Sequence, residues 1–194
     1  NAKVLLLGAG GLGSPAALYL AAAGVGTIGL VDADTVDTSN LQRQILYATA
    51  DIGAPKVEAA GARLAAINPG VRIVTVPSRV GPDELAALAR AADVIVDCCD
   101  NFATRHAVNR ACVTAKTPLV SGAAIRFDGQ VAVFDPRDAA SPCYHCLFGE
   151  GDELEETRCA TMGVFAPLVG IVGATQAAEA LKLIAGVGES LAGR

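Results

Sequence analysis

The sequence is poor in charge. Only 18% of its 194 residues are Asp, Glu, Lys or Arg, against 52% hydrophobic residues, a balance that excludes a disordered chain. It lacks a basic surplus. Fifteen Lys plus Arg face 20 Asp plus Glu, for a formal net charge of −5, which argues against broad nucleic-acid binding because that needs a basic face. Nowhere does it reach roughly 18 uninterrupted apolar residues, so no membrane span is expected. No basic region or cleavage signal precedes the first apolar run, Val4–Leu7, so no signal peptide is expected and a cytoplasmic location is. Solenoid repeats and low-complexity linkers are missing too. The chain starts at Asn1 and stops at Arg194 soon after a helical pattern. It is expected to be one domain over residues 1–194, trimmed at both ends.

What is present reads as alternating strands and helices. Strands are expected at Val4–Gly8, Thr27–Asp32, Arg72–Val76, Val94–Cys98, Leu119–Ser121 and Gln130–Phe134. Helices are expected at Ser14–Ala23, Lys56–Ile67, Pro82–Ala92, about Ala103–Ala115 and Leu168–Ala185, the second stopped by Asn68-Pro69-Gly70. Continuously apolar strands alternating with helices imply an α/β, Rossmann-like, mainly parallel sheet with helices on both faces. The last two strands, joined by a turn placed at Asp128-Gly129, are expected to be antiparallel at the C-terminal end. A polar, Cys-bearing loop is expected at Pro136–Gly163, and loops of that length are usually functional.

Gly8-Ala9-Gly10-Gly11-Leu12-Gly13 matches G-x-G-x-x-G between a strand and a helix. There the glycines allow a tight turn and close approach to phosphates, and the helix N-terminus supplies amide donors. Asp32, at the tip of the second strand, is placed to accept hydrogen bonds from a ribose. This reads as a nucleotide site without saying which nucleotide. NAD is the default, but Asp34 and the run Ser39-Asn40-Leu41-Gln42-Arg43-Gln44 follow, a polar and cationic stretch for which a nicotinamide slot has little use. Arg43 offers a rigid fork for phosphate oxygens, and Lys56 adds a second cation at a helix start. Asp100, in Asp97-Cys98-Cys99-Asp100-Asn101 at another strand tip, suits a Mg²⁺ ligand beside phosphates, or a cap of the next helix.

These stretches, with Ala22–Gly26, Val31–Asp34, Pro55-Lys56, Ile67–Pro69 and Pro118–Ala124, resemble the adenylating domain shared by ThiF, MoeB and the ubiquitin-activating enzymes. The resemblance covers nearly the whole chain in the expected order. It implies an ATP-binding adenylation domain that uses ATP and Mg²⁺. The second substrate implied is a small β-grasp sulfur carrier protein with a C-terminal Gly-Gly, of the ThiS or MoaD type. It further implies a sulfurtransferase or cysteine desulfurase as sulfur donor, and a homodimer. By that carry-over Asp32 holds the ribose, Asn40, Arg43 and Lys56 hold phosphates, and Asp100 handles Mg²⁺. The nucleotide set expected is Gly8, Gly10, Gly11, Gly13, Asp32, Asp34, Ser39, Asn40, Leu41, Gln42, Arg43, Lys56, Asp100 and Asn101. Features of both carrier types are mixed in the sequence. Two rival readings are an NAD-dependent oxidoreductase and a catalytically silent nucleotide-binding scaffold.

There are six cysteines. Cys98, Cys99 and Cys112 fall on apolar elements and are expected as small buried side chains. Cys143-Tyr144-His145-Cys146 gives two thiolates for a structural Zn²⁺, whose closed site takes four ligands; family members often carry a second Cys pair near the C-terminus, absent from this sequence. Cys159, beside Arg158, is expected as a candidate for a covalent carrier intermediate, a role that the resemblance attaches to this loop. Neither His106, on a helix, nor His145, inside the Cys pair, is placed to act as a base.

Overall fold

The computed structural model describes residues 1–149 and 163–193. Six strands, β1 (Lys3–Leu7), β2 (Thr27–Val31), β3 (Arg72–Val76), β4 (Val94–Asp97), β5 (Leu119–Ile125) and β6 (Asp128–Phe134), form one sheet in the order β3-β2-β1-β4-β5-β6. All neighbours are parallel except the antiparallel pair β5–β6. The helices are α1 (Gly13–Ala22), α2 (Lys56–Ile67), α3 (Pro82–Ala91), α4 (Phe102–Ala115), the single turn α5 (Tyr144–Leu147) and α6 (Ala166–Ala185). The expected fold class stands.

Alternation along β1 shows why the strands read as continuous apolar runs. Val4 and Leu6 join the core beneath α1, α2 and α6, whereas Leu5 and Leu7 join a second core beneath α3 and α4. Both faces of the sheet are covered, so neither side of the strand can be polar. α6 is long and apolar enough to cross a membrane. It lies instead across β4, β5 and β6 and against α1, with Gln176 and Glu179 buried along it.

The hairpin corrects the sequence reading. Asp128 and Gly129 are not the turn; they belong to β6, paired with Ile125 and Ala124. The reversal is made at Arg126-Phe127, with Arg126 at φ 51°. A Cβ on Gly129 would come within 2.9 Å of Leu168 and Val172 side-chain carbons. That glycine admits α6 onto the sheet, a role that shares its sequence signal with turns. Both strands are consequently longer than expected. Within the described part of the Cys-bearing loop, Tyr144–Leu147 form the single turn α5, and just beyond the loop Val164 bridges to Arg126.

The order of connection reverses between β1 and β4. β1 leads outward to β2 and β3, while β4 leads the other way to β5. Crevices for ligands in open α/β sheets lie beyond the strand C-termini at this switch point. The turn after β1 holds Gly8–Gly13, and the turn after β4 holds Asp100.

Candidate functional site

The glycine turn divides its work. Gly8 adopts φ +92°, and a Cβ there would lie 2.8 Å from the Cys98 carbonyl oxygen, so this residue lets the β1 turn pass the β4 turn. A Cβ on Gly13 would overlap the Gly8 carbonyl and reach 3.0 Å from Leu6; this position seats α1 against the strand. Gly10 is different. The nearest atom to a Cβ there is Gln44 Nε2, at 3.6 Å, and Gly11 has only Val169 and the Arg43 stem nearby. These two meet side chains and no backbone at these distances, Gly11 closest to Val169 at 3.2 Å, at the start of α1, whose N-terminus has no side-chain cap. Uncapped helix amides and two bare peptides make an anion cradle.

Around the cradle the expected polar residues assemble. Asp32 accepts from the Ala9 N–H at 2.8 Å and from the Asp34 N–H at 2.9 Å. One contact for each oxygen leaves lone pairs for a ribose diol. Arg43 brings its stem within 3.5 Å of a Gly11 Cβ and donates to the Ser39 carbonyl at 3.3 Å. Lys56, nearly buried, pairs with Asp34 at 2.8 Å. Asn40 bonds Ser39, which is held by Asp37, while Leu41 packs on the core and Gln42 is exposed. The hydrogen bonds from Ser39 hold the Asp37 carboxyl below its ordinary pKa.

Asp100 is exposed, and the cap of α4 is made by Asn101, whose Oδ1 accepts from Thr104 N–H at 2.8 Å. The alternative reading of Asp100 as the helix cap is therefore corrected; its Oδ1 accepts a long hydrogen bond from Asn101 Nδ2 at 3.4 Å. Among the described residues, no group of three or more His, Cys, Asp or Glu is placed to hold a metal ion. A magnesium ion on a nucleotide needs only one or two protein carboxylates, the rest of its shell being phosphate and water, and Asp100 fits that demand.

Several residues escaped the sequence reading. Gln44 is 4% exposed with Oε1 unpartnered, and Ser14 is fully buried with Oγ unpartnered; both flank the cradle. Tyr47 donates to the Ala9 carbonyl at 2.7 Å. Asp97, ambiguous from sequence, is fully buried and paired with Arg105 at 3.3 Å. Burial works most strongly against the Arg105 cation, but Asp97, with Tyr144, Cys99 and Cys98, together outweigh it, so the guanidinium pKa is raised. A carboxylate in an otherwise apolar strand, eight residues before an Arg, was the available signal.

Cys143 and Cys146 lie on the other side of the sheet, against α4. Their sulfurs are 3.6 Å apart, and Asn109 Nδ2 donates to Cys143 Sγ at 3.6 Å. Burial opposes the Cys143 thiolate, but Asn109 and the backbone N–H groups of Cys146 and His145 prevail and lower its pKa. Two thiolates are half of a closed zinc set. His106 is buried against Tyr144 and His145, on this side and away from the cradle. Cys98 and Cys112 are buried as expected, and Cys99 half-buried. Cys159 lies outside the described residues. A cavity of about 170 Å³ bounded by Asn109, Cys112 and Cys143 also belongs to this face.

The pattern of the ThiF family matches residues 1–194. The chain belongs to the ThiF family. It is 48% identical to the molybdopterin-synthase adenylyltransferase of Escherichia coli strain K12, over all of this chain and 77% of that protein. It is 46% identical to the sulfur carrier protein ThiS adenylyltransferase of the same organism, over 96% of this chain and 74% of that protein. Among solved structures, E. coli MccB with ATP superposes with a TM-score of 0.84 at 28% identity. That match covers 98% of this chain, which spans 58% of the MccB chain.

Proposed function

We propose that this ThiF-family protein is an adenylyltransferase that uses ATP to activate the C-terminal glycine of a small ubiquitin-like sulfur carrier, of the ThiS or MoaD type. Relatives named for each carrier type, at nearly equal identity, support the reaction class and leave the two carriers level. The observation that carries the reading is the placing of Arg43 against the glycine turn, with Lys56 beside Asp34 and an exposed Asp100 on the turn after β4. A hydride-transfer site has no need of such a cationic border, and neither the family nor the relatives support the NAD alternative.

The chemistry suits these groups. A carrier carboxylate is already anionic at neutral pH, so its attack on the α-phosphorus requires no general base. Its oxygen bonds to that phosphorus as the bond to the bridging oxygen of the β-phosphate breaks, giving acyl-adenylate and pyrophosphate. The protein must orient the reactants and neutralise growing charge. Gly10 and Gly11 amides and the α1 N-terminus hold phosphate oxygens; Arg43, Lys56 and Asn40 face the same charge; Asp32 fixes the ribose. Mg²⁺ held through Asp100 would neutralise phosphate charge. Cys143 and Cys146 would contribute half of a structural zinc site, and Cys159 is a candidate for the later sulfur-transfer step, supplied by a sulfurtransferase or cysteine desulfurase. Exposed Phe165 and Ile171 on and beside α6 favour a homodimer.

The test is ATP–pyrophosphate exchange by the full-length protein, offered each carrier type in turn, with Asp100→Ala as control. Exchange that depends on one carrier and vanishes in the control is expected. ATP binding without exchange on either carrier would reject the reading and favour a different glycine-ended partner or a scaffold.

A further inference from the structure

Asp100 stands on an exposed turn, yet the residue before it is tied at both of its backbone polar groups. Cys99 N–H donates to Asp97 Oδ1 at 3.0 Å, and its carbonyl accepts from Arg105 Nη2. Asp97 and Arg105 face each other at 3.3 Å with side chains 0% and 8% exposed. The same guanidinium reaches Ser121 Oγ at 3.1 Å and the Gly122 carbonyl at 2.7 Å. From the far face, Gln176 donates to the Asp97 carbonyl at 2.7 Å and the Val120 carbonyl at 3.2 Å. The residue after Asp100 is the α4 cap. One buried ion pair thus fixes the turn that presents Asp100, from a strand, a helix and the neighbouring strand together.

A buried ion pair is a poor way to gain stability, since its desolvation often cancels its attraction. What it provides here is geometry. The planar fork addresses acceptors on β4, β5 and the turn in fixed directions, which an aliphatic residue or a point charge does not. We propose that Arg105, held by Asp97, is a positioning residue that sets the place of the Asp100 carboxylate. The inference rests on the reading of Asp100 as the group that handles Mg²⁺.

The test uses the full-length protein with the carrier that supports exchange. Pyrophosphate exchange is titrated with Mg²⁺ at fixed ATP, nucleotide binding is followed without metal using a fluorescent ATP analogue, and melting temperature is recorded. Arg105→Lys is expected to raise half-saturating Mg²⁺ by about 10–100-fold, the usual effect of losing a partner that orients a metal ligand. Metal-free nucleotide binding should stay as in the parent. If Arg105→Lys does not fold, Asp97→Asn takes its role: it keeps the shape and weakens the hold on Arg105, and a smaller shift in the same direction is expected. A folded variant with unchanged magnesium dependence, alongside an inactive Asp100→Ala, would overturn the positioning role. An Asp100→Ala protein with normal exchange and normal magnesium dependence would overturn instead the reading of the site.

Discussion

Two glycines of one motif should fail in opposite ways. At Gly13, a methyl group would meet the Gly8 carbonyl and Leu6; the first is backbone, so α1 must move off β1. Overpacking of this kind costs about 1–3 kcal/mol. For a chain of 194 residues, each kcal/mol moves Tm by about 2–4 °C, so Gly13→Ala should lower Tm by about 2–12 °C. At Gly10 the nearest atom is 3.6 Å away, an ordinary contact, and φ is not positive. Gly10→Ala should be neutral or gain about 0.4–1 kcal/mol, since alanine restricts the unfolded chain. Its methyl, however, stands in the cradle. Losing one amide contact to a charged phosphate costs about 1.5–3 kcal/mol, or about 10–100-fold in ATP affinity. Thermal melts and calorimetric titration with ATP separate the two. Unweakened ATP binding by Gly10→Ala would place the phosphates elsewhere, and an unchanged Tm in Gly13→Ala would refute the packing argument.

Other outcomes can be stated briefly. Arg43→Ala should slow adenylation by about 10²–10³, as for the loss of one transition-state donor; a loss under about tenfold in a folded variant would remove Arg43 from the catalytic set. Tyr47→Phe leaves the Ala9 carbonyl without its donor, costing about 1–3 kcal/mol in urea unfolding; no change would mean that water replaces the hydroxyl. Burial pushes the Cys98 and Cys112 thiols up, so they should resist iodoacetamide at pH 8 in mass-spectrometric mapping. Cys143, held low by its donors, should react at lower pH than a free cysteine, whose pKa is about 8.5. Asn109→Ala should move that profile upward, and an unmoved profile would dismiss the Asn109 contact. Zinc, if the pair holds it, should be measurable in the full-length protein, and chelation should expose both Cys143 and Cys146 to alkylation.

The elements were legible in the sequence because the sheet is buried on both faces. A run such as Val4–Leu7 has no polar alternative, and α2 and α6 stop at Asn68 and Gly186. The turn at Gly8–Gly13 was legible because a tight strand-to-helix connection constrains backbone locally, through residues adjacent in the chain. The errors came where one residue type answers two demands. Asp128-Gly129 looked like a turn, but Gly129 serves a helix that arrives some forty residues later. Asp100 looked able to cap α4, and the Thr104 contact assigns the cap to Asn101 instead.

By itself the sequence determined the strand and helix order, the glycine turn, and the residue types that border it, since these depend on local periodicity and backbone demands. Tertiary structure alone decided which of those residues are free to meet a ligand. It packed Leu41 into the core and paired Lys56 with Asp34. Arg105 was drawn to Asp97, Ser121 and the Cys99 carbonyl, and Asp100 was left exposed. Burial and pairing of charge are properties of distant segments brought together, and no spacing along one chain encodes them directly.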